Sequence, residues 1–169
     1  MVGGSLSSVS DEADKRLELA YDAGQRLLAM QDTTLGNVRT RANNLLAVAA
    51  LFTSFAAGLG LINADRTNGP VISPCAAIAL LVIVLLLGIM VIYVIWPVDW
   101  VFGPSARLIM EKYNDGEDET AIRKYVIEKM IEGGKKNDVA LRDKQLAFRV
   151  AVILLLVEIV LLLMILVVR

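Results

Sequence analysis

One carboxyl group stands inside the last apolar stretch of the sequence, where a charge is hardest to accommodate. Glu158 lies near the middle of residues 147–168, AFRVAVILLLVEIVLLLMILVV, in which Arg149 is the other charged residue. About 20 helical residues cross the roughly 30 Å hydrocarbon layer of a bilayer, so this segment is long enough to span a membrane. An ionised side chain at that depth costs on the order of 2.5 to 3.5 kcal/mol. Glu158 therefore needs a partner or water.

Three interpretations of Glu158 follow from its position. Its carboxyl group can hydrogen-bond a neighbouring helix, with Thr53 or Ser54 as the partner. It can instead line a polar lumen in an oligomer, where a ring of carboxylates would favour cations. Snorkelling or a local bilayer defect is the third way to accommodate it. The sequence leaves all three open.

A second set of chemically capable side chains is basic. It comprises Arg39, Arg41, Lys135, Lys136, Arg142 and Lys144. Basic residues beside apolar segments are expected from membrane topology and from attraction to anionic lipid headgroups. The alternative is an anion-binding site for a nucleotide, in which Lys135 and Lys136 beside Gly133-Gly134 supply ammonium donors. Gly-Gly-Lys-Lys lacks the upstream glycine and the Ser or Thr of a P-loop, so it does not indicate nucleotide hydrolysis.

The rest of the composition argues against an enzyme. The chain has no histidine, which removes the commonest general base and zinc ligand, and its one cysteine, Cys75, excludes an intrachain disulfide. We expect no metal and no cofactor. With a net charge of −1, the chain has no overall excess of positive charge with which to bind a nucleic acid duplex.

Three apolar segments position these residues. The predicted layout is a flexible tail at 1–9, a cytoplasmic helix at 10–43, membrane spans at 44–62, 74–96 and 147–168, an outer turn at 63–73 and a cytoplasmic helical segment at 97–146. The predicted fold is an all-α integral membrane protein with three transmembrane helices. A long N-terminal cytoplasmic helix runs into the first span, and a cytoplasmic helical insertion lies between the second and third.

Local patterns refine this layout. Residues that are mostly apolar recur at steps of four and three before and into the first span, which predicts a helix packed within a small bundle. They are Leu17, Tyr21, Gly24, Leu28, Gln31, Leu35, Val38, Ala42 and Leu45. Residues 114–116, Asn-Asp-Gly, are expected to separate two inner helices, and Gly133-Gly134 to interrupt or end the second of them. The small residues of the first span favour close helix packing, either within the chain or at a subunit interface or pore.

Charge sets the predicted orientation. The 63–73 turn holds one Arg and one Asp, whereas Lys and Arg are frequent before the first span and between the second and third. Because positive charge near spans stays cytoplasmic, we predict that the N-terminus lies inside and the C-terminus outside.

Two short patterns resemble a known family. RTRANNLL at 39–46 leads the polar N-terminal helix into the first span, and Asn137, Lys144 and Phe148-Arg149 mark the approach to the last. With the short outer turn and the inner helical insertion, this layout is similar, from about residue 14 to the end, to bacterial Pycsar and SLATT-type membrane effectors of antiphage defence. The resemblance implies an effector that oligomerises and damages the bacterial inner membrane when a nucleotide second messenger appears, with sensing by the inner helices or a partner.

The leading hypothesis is therefore a non-enzymatic, homo-oligomeric protein of the bacterial inner membrane that forms or gates a pore in antiphage defence. Its expected partners are the lipid bilayer, further copies of itself and a nucleotide second messenger. The first alternative is a membrane scaffold or accessory subunit that binds another membrane protein. A small ion channel unrelated to defence, or an ion-coupled carrier that uses Glu158, remains a further alternative.

Overall fold

The computed structural model describes residues 4–62 and 73–167, and within these ranges the protein is helical with no strand. The helices are α1 (Gly4–Ile62), α2 (Pro74–Ile95), α3 (Ala106–Asn114) and α4 (Glu119–Val167). The all-α prediction is confirmed for the described residues. The predicted outer turn falls almost wholly outside them.

Helix α1 follows the predicted seam. From Leu28 onward the predicted positions are buried, and the series continues one step further to Ala49. The buried residues are Leu28, Gln31, Leu35, Val38, Ala42, Leu45 and Ala49. Their steps of three and four place them on one face, so the predicted packing of this helix is confirmed. Helix α1 begins at Gly4, within the predicted tail, because none of residues 5–9 is a proline or a glycine that would stop it.

The chain divides into two compact units. The first combines Met1–Leu35 with Val98–Leu141, and the second combines Gly36–Pro97 with Arg142–Arg169. In the first unit Leu28 packs with Val126 and Met130 in a small apolar cluster, with Tyr21 and Ile109 at its edge.

The second unit has the larger core. It joins α1, α2 and α4 through Val38, Ala42, Leu45, Ala49, Leu87, Val91, Val94, Ala147 and Ala151. Many of these residues are alanine or valine, which allows the helix backbones to approach closely. This unit contains all three predicted spans.

Two of the helices in the described residues, α2 and α4, contain windows long and apolar enough to cross a membrane. Within these windows 17 % and 11 % of the residues are buried inside the protein, so most of their residues face outward. The two helices are compatible with a membrane-spanning protein. The span predicted at 44–62 is helical to its end as part of α1, and its crossing of a membrane stays a prediction.

Of the two helix breaks predicted between residues 97 and 146, the structure has one and lacks the other. Helix α3 is capped by the Ser105 hydroxyl, and Gly116, with φ of +81°, leads out of it, which confirms the break predicted at 114–116. The break predicted at Gly133-Gly134 is wrong, because α4 runs through both glycines. Both are buried, and a Cβ on Gly133 would lie 2.5 Å from Val101 Cγ1. Gly133 thus serves a close approach by Val101 instead of ending the helix.

Candidate functional site

Glu158 of α4 is fully buried in the second unit and contacts Thr53 of α1. Thr53 Oγ1 lies 2.9 Å from Glu158 Oε1, and the same oxygen lies 2.9 Å from the backbone carbonyl oxygen of Ala49. This is the interhelix contact that the first interpretation of Glu158 predicts. Thr53 is therefore the partner, and Ser54 is not.

A groove that is open to the outside adjoins this pair. It has a volume of about 290 Å³ and is lined mainly by alanine, valine and leucine side chains of α1, α2 and α4, together with Thr53 and Glu158. Glu158 Oε2 is buried and has no hydrogen-bond partner among the residues that the structure describes. The site therefore combines an apolar wall with one unsatisfied carboxyl oxygen.

This geometry bears on the lumen interpretation of Glu158. The side chain is 0 % exposed in a single chain, so it does not lie on a surface that a second copy could share. A ring of Glu158 carboxylates around a common lumen would require the helices around it to move.

Lys144 and Arg39 meet at the C-terminal end of α2. Lys144 is 4 % exposed, and its ammonium group donates hydrogen bonds to the carbonyl oxygens of Tyr93 and of Trp96, the latter at 3.2 Å. The ammonium nitrogen also lies 4.4 Å from the centroid of the Tyr93 ring. Arg39 Nη2 reaches the Trp96 carbonyl at 3.5 Å, which is long for a hydrogen bond. These two cations lie where the helix dipole is negative.

Pro97 explains why this helix end needs a side-chain donor. In a continuing helix the Tyr93 carbonyl would accept from the backbone N–H four residues later, but Pro97 has no N–H. The residue before a proline is also pushed out of the helical region, and Trp96 has φ of −50° and ψ of 135°. The Lys144 ammonium supplies the donor that Pro97 lacks.

Burial has an electrostatic consequence for Lys144. Removal from water lowers the pKa of its ammonium below the usual 10.5, and the positive charge of Arg39 lowers it further. Asp143 opposes this shift. A lysine held this way is a structural donor, and its ammonium is already occupied by backbone carbonyl groups.

The other predicted anion-binding residues lie in a different environment. Arg41, Lys135, Lys136 and Arg142 are all exposed. The structure thus assigns two members of the basic set, Arg39 and Lys144, to the end of α2 and leaves four at the surface. Nucleotide binding stays a prediction.

In the first unit, Asn137 holds the backbone of Val101, a contact that the sequence analysis did not predict. Its side chain is fully buried, its Nδ2 donates to the Val101 carbonyl at 2.8 Å and its Oδ1 accepts from the Val101 N–H at 3.0 Å. Gly133, one turn earlier in α4, gives the Val101 side chain its space. The i, i+4 spacing of a glycine and an asparagine on a buried helical face is the signal that could have indicated this contact.

Gln31 makes a comparable contact within the same unit. Its Nε2 donates to the Gly134 carbonyl at 3.0 Å and to Asp138 Oδ1 at 2.6 Å. The amide nitrogen of this buried polar residue of the α1 seam is thus satisfied, whereas its Oε1 is buried without a hydrogen-bond partner among the described residues.

Within the described residues no group of three or more His, Cys, Asp and Glu side chains could hold a metal ion. Comparison with protein-family models, with curated proteins and with solved structures finds no match for the chain. Its function must therefore be argued from the site and the sequence.

Proposed function

We propose that this chain is a three-span protein of the bacterial inner membrane that self-associates and permeabilises the bilayer, as an effector of antiphage defence. The observation that carries its membrane location is the outward-facing apolar surface of α2 and α4. Large side chains there are well exposed, among them Leu81 (68 %), Ile153 (60 %) and Leu163 (55 %). Apolar surface of this extent is costly in water and is stable against lipid.

Self-association is supported by the outer face of α1 in its apolar part. Ala47, Ala50 and Ser54 follow at steps of three and four, and all are exposed on the side opposite the buried seam. Small residues at this spacing let two membrane helices approach closely. We infer that this face, defined by these three residues, meets the same face of another copy.

Glu158 takes a structural part in this proposal. Its contact with Thr53 joins α4 to α1 inside one chain, and the conducting path then lies between copies in the assembly, away from Glu158. The control signal is a nucleotide or a partner, as the resemblance implies. Its candidate ligands are the exposed residues Lys135 and Lys136 in the first unit, or Arg41 and Arg142 in the second.

The test combines mass with ion flux. Purified protein reconstituted in liposomes should form a complex larger than a monomer by native mass spectrometry and should release a trapped ion. Ala50→Leu places a bulky side chain on the proposed contact face and should reduce both assembly and flux at least tenfold. Val82→Leu, an exposed position of α2, is the matched control and should behave like wild type.

Two outcomes would contradict the proposal. A wild-type protein that is strictly monomeric in liposomes cannot form a pore from so few helices. An oligomer without flux, even when nucleotide is supplied, would favour the scaffold or accessory subunit instead.

A further inference from the structure

The second unit has an excess of positive charge at the end that holds Lys144. Its described part contains five cationic side chains and two carboxyl groups, Asp143 and Glu158. Glu158 lies about 21 Å further along α4 than Lys144, so Asp143 is the carboxyl group of this end. The ion pairs found among the described residues all lie in the first unit. The five cations without an ion pair in the described chain are Arg39, Arg41, Arg142, Lys144 and Arg149.

Two of these charges come together at the C-terminal end of α2. The hydrogen bonds of Arg39 and Lys144 go to backbone carbonyl groups, which carry no net charge. The C-terminal end of a helix contributes about half a negative charge, which does not balance two cations. This end of α2 therefore keeps a positive charge that an anion would neutralise.

Arg39 has hydrogen-bond donors left for such an anion. A guanidinium group has five N–H donors, and here Nη2 makes the long contact with the Trp96 carbonyl. Nη1 is not buried and makes no hydrogen bond to the described residues. A guanidinium group binds two phosphate oxygens at once, so phosphate is an anion of matching geometry. Lys144, which is buried, adds its charge to the site.

The apolar surface beside this charge indicates which kind of phosphate compound fits. Tyr93, whose ring and carbonyl group contact Lys144, begins a stripe of exposed side chains on α2. The stripe continues through Ile89, Leu86 and Val82 at steps of four, three and four, and each of the four residues is between 42 % and 48 % exposed. A soluble phosphate compound would leave this surface uncovered, whereas the acyl chain of a phospholipid would cover it.

We propose that Arg39 and this stripe of α2 form a binding site for an anionic phospholipid. The lipid phosphate accepts hydrogen bonds from the Arg39 guanidinium group, and an acyl chain lies along Tyr93, Ile89 and Leu86. All of these residues belong to the second unit. The inference rests on the membrane location in the proposed function, and it does not depend on pore formation.

The test is native mass spectrometry of the full-length protein in detergent, titrated with phosphatidylglycerol or with phosphatidylcholine of the same acyl chains. Both lipids have the phosphate group, but the choline cation makes the second headgroup neutral overall. The protein should bind phosphatidylglycerol about tenfold more tightly, which is the effect expected for one hydrogen bond between charged groups. Glycerol phosphate, which has no acyl chain, should not displace the lipid at the same concentration.

Variants separate a defined site from general attraction between cations and anionic lipid. Arg39→Gln should weaken phosphatidylglycerol binding about tenfold and leave phosphatidylcholine binding unchanged. Arg39→Lys keeps the charge but not the paired donors, so it should lose part of this affinity. The control is Arg41→Gln, which removes an exposed cation two residues away on α1 and should change the affinity less than twofold.

The contrary results are distinct from one another. Equal effects of Arg39→Gln and Arg41→Gln would show general attraction and overturn the site. Equal binding of the two lipids by the wild-type protein would also overturn it, while leaving the membrane location intact. Displacement by glycerol phosphate would identify a soluble phosphate compound as the ligand. Failure to retain either lipid would contradict the membrane location itself.

Discussion

Replacement of Lys144 by methionine tests the role that the structure gives to this buried cation. The change keeps a long side chain but removes the ammonium that donates to the carbonyl groups of Tyr93 and Trp96. Each hydrogen bond from a charged donor contributes about 1.5 to 3 kcal/mol, and the contact with the Tyr93 ring contributes about 0.5 to 2 kcal/mol. Part of this loss is offset, because methionine at position 144 no longer requires a positive charge to be buried.

The net expectation is a loss of about 2 to 4 kcal/mol in the free energy of unfolding. For a chain of this size, 1 kcal/mol shifts the midpoint of thermal unfolding by about 2 to 4 °C, so the midpoint should fall by about 4 to 16 °C. The assay is thermal unfolding in nanodiscs followed by tryptophan fluorescence. Trp96 and Trp100, the two tryptophans of the chain, flank Pro97 and report on this end of α2.

Two further variants sharpen the experiment. Arg142→Met removes an exposed cation two residues away on the same helix and should change stability by no more than about 0.5 kcal/mol. Pro97→Ala restores a backbone N–H that can reach the Tyr93 carbonyl if α2 extends by one turn, so it should recover part of the stability lost in Lys144→Met. The reasoning is refuted if Lys144→Met is as mild as Arg142→Met.

Further predictions concern the same helices. Gly133→Ala should destabilise the protein by about 1 to 3 kcal/mol in the same thermal assay, because the new Cβ would overlap with Val101. The control is Gly36→Ala, which should be neutral or stabilising because nothing lies within 4 Å of that position. Equal effects of the two variants would exclude the close contact at Gly133. Asn137→Leu should accelerate hydrogen exchange of the Val101 amide at least tenfold, and unchanged exchange would show that this bond is dispensable. Because burial lowers the pKa of Lys144 in the folded state, the unfolded state binds more protons between that pKa and 10.5, so stability should rise with pH there. The difference in midpoint between wild type and Lys144→Met should grow as the pH approaches 10.5, and a constant difference would contradict the shift.

The sequence predicts those features that depend on local pattern. The seam of α1 follows from the spacing of residues such as Leu28 and Val38, since a helix turns 3.6 residues per turn whatever it packs against. The break at 114–116 follows from turn chemistry. The Thr53 contact of Glu158 is one of the three arrangements that the sequence left open, since energetics requires a partner or water for a carboxyl group in an apolar segment but does not choose between them.

Other features depend on contacts between residues far apart along the chain. Gly133-Gly134 has the composition of a break, but Val101 packs against Gly133 and the helix continues. Lys144 resembles any juxtamembrane lysine until its position beside Tyr93 is known. Pro97 indicates that a carbonyl group is left without its donor, since a proline has no N–H for the carbonyl group four residues earlier. The sequence does not say which side chain supplies the missing donor.

The central claim is that the chain crosses the membrane three times with its N-terminus inside, since the proposed pore lies within those spans. Labelling of introduced thiols in intact cells tests it most directly, in a Cys75→Ser background with a membrane-impermeant reagent. A thiol at position 68, outside the described residues, should be modified from outside, and one at position 114 should react only after the cells are opened. Modification at 114 with protection at 68 would reverse the orientation, and equal modification of both in intact cells would contradict the three-span membrane account.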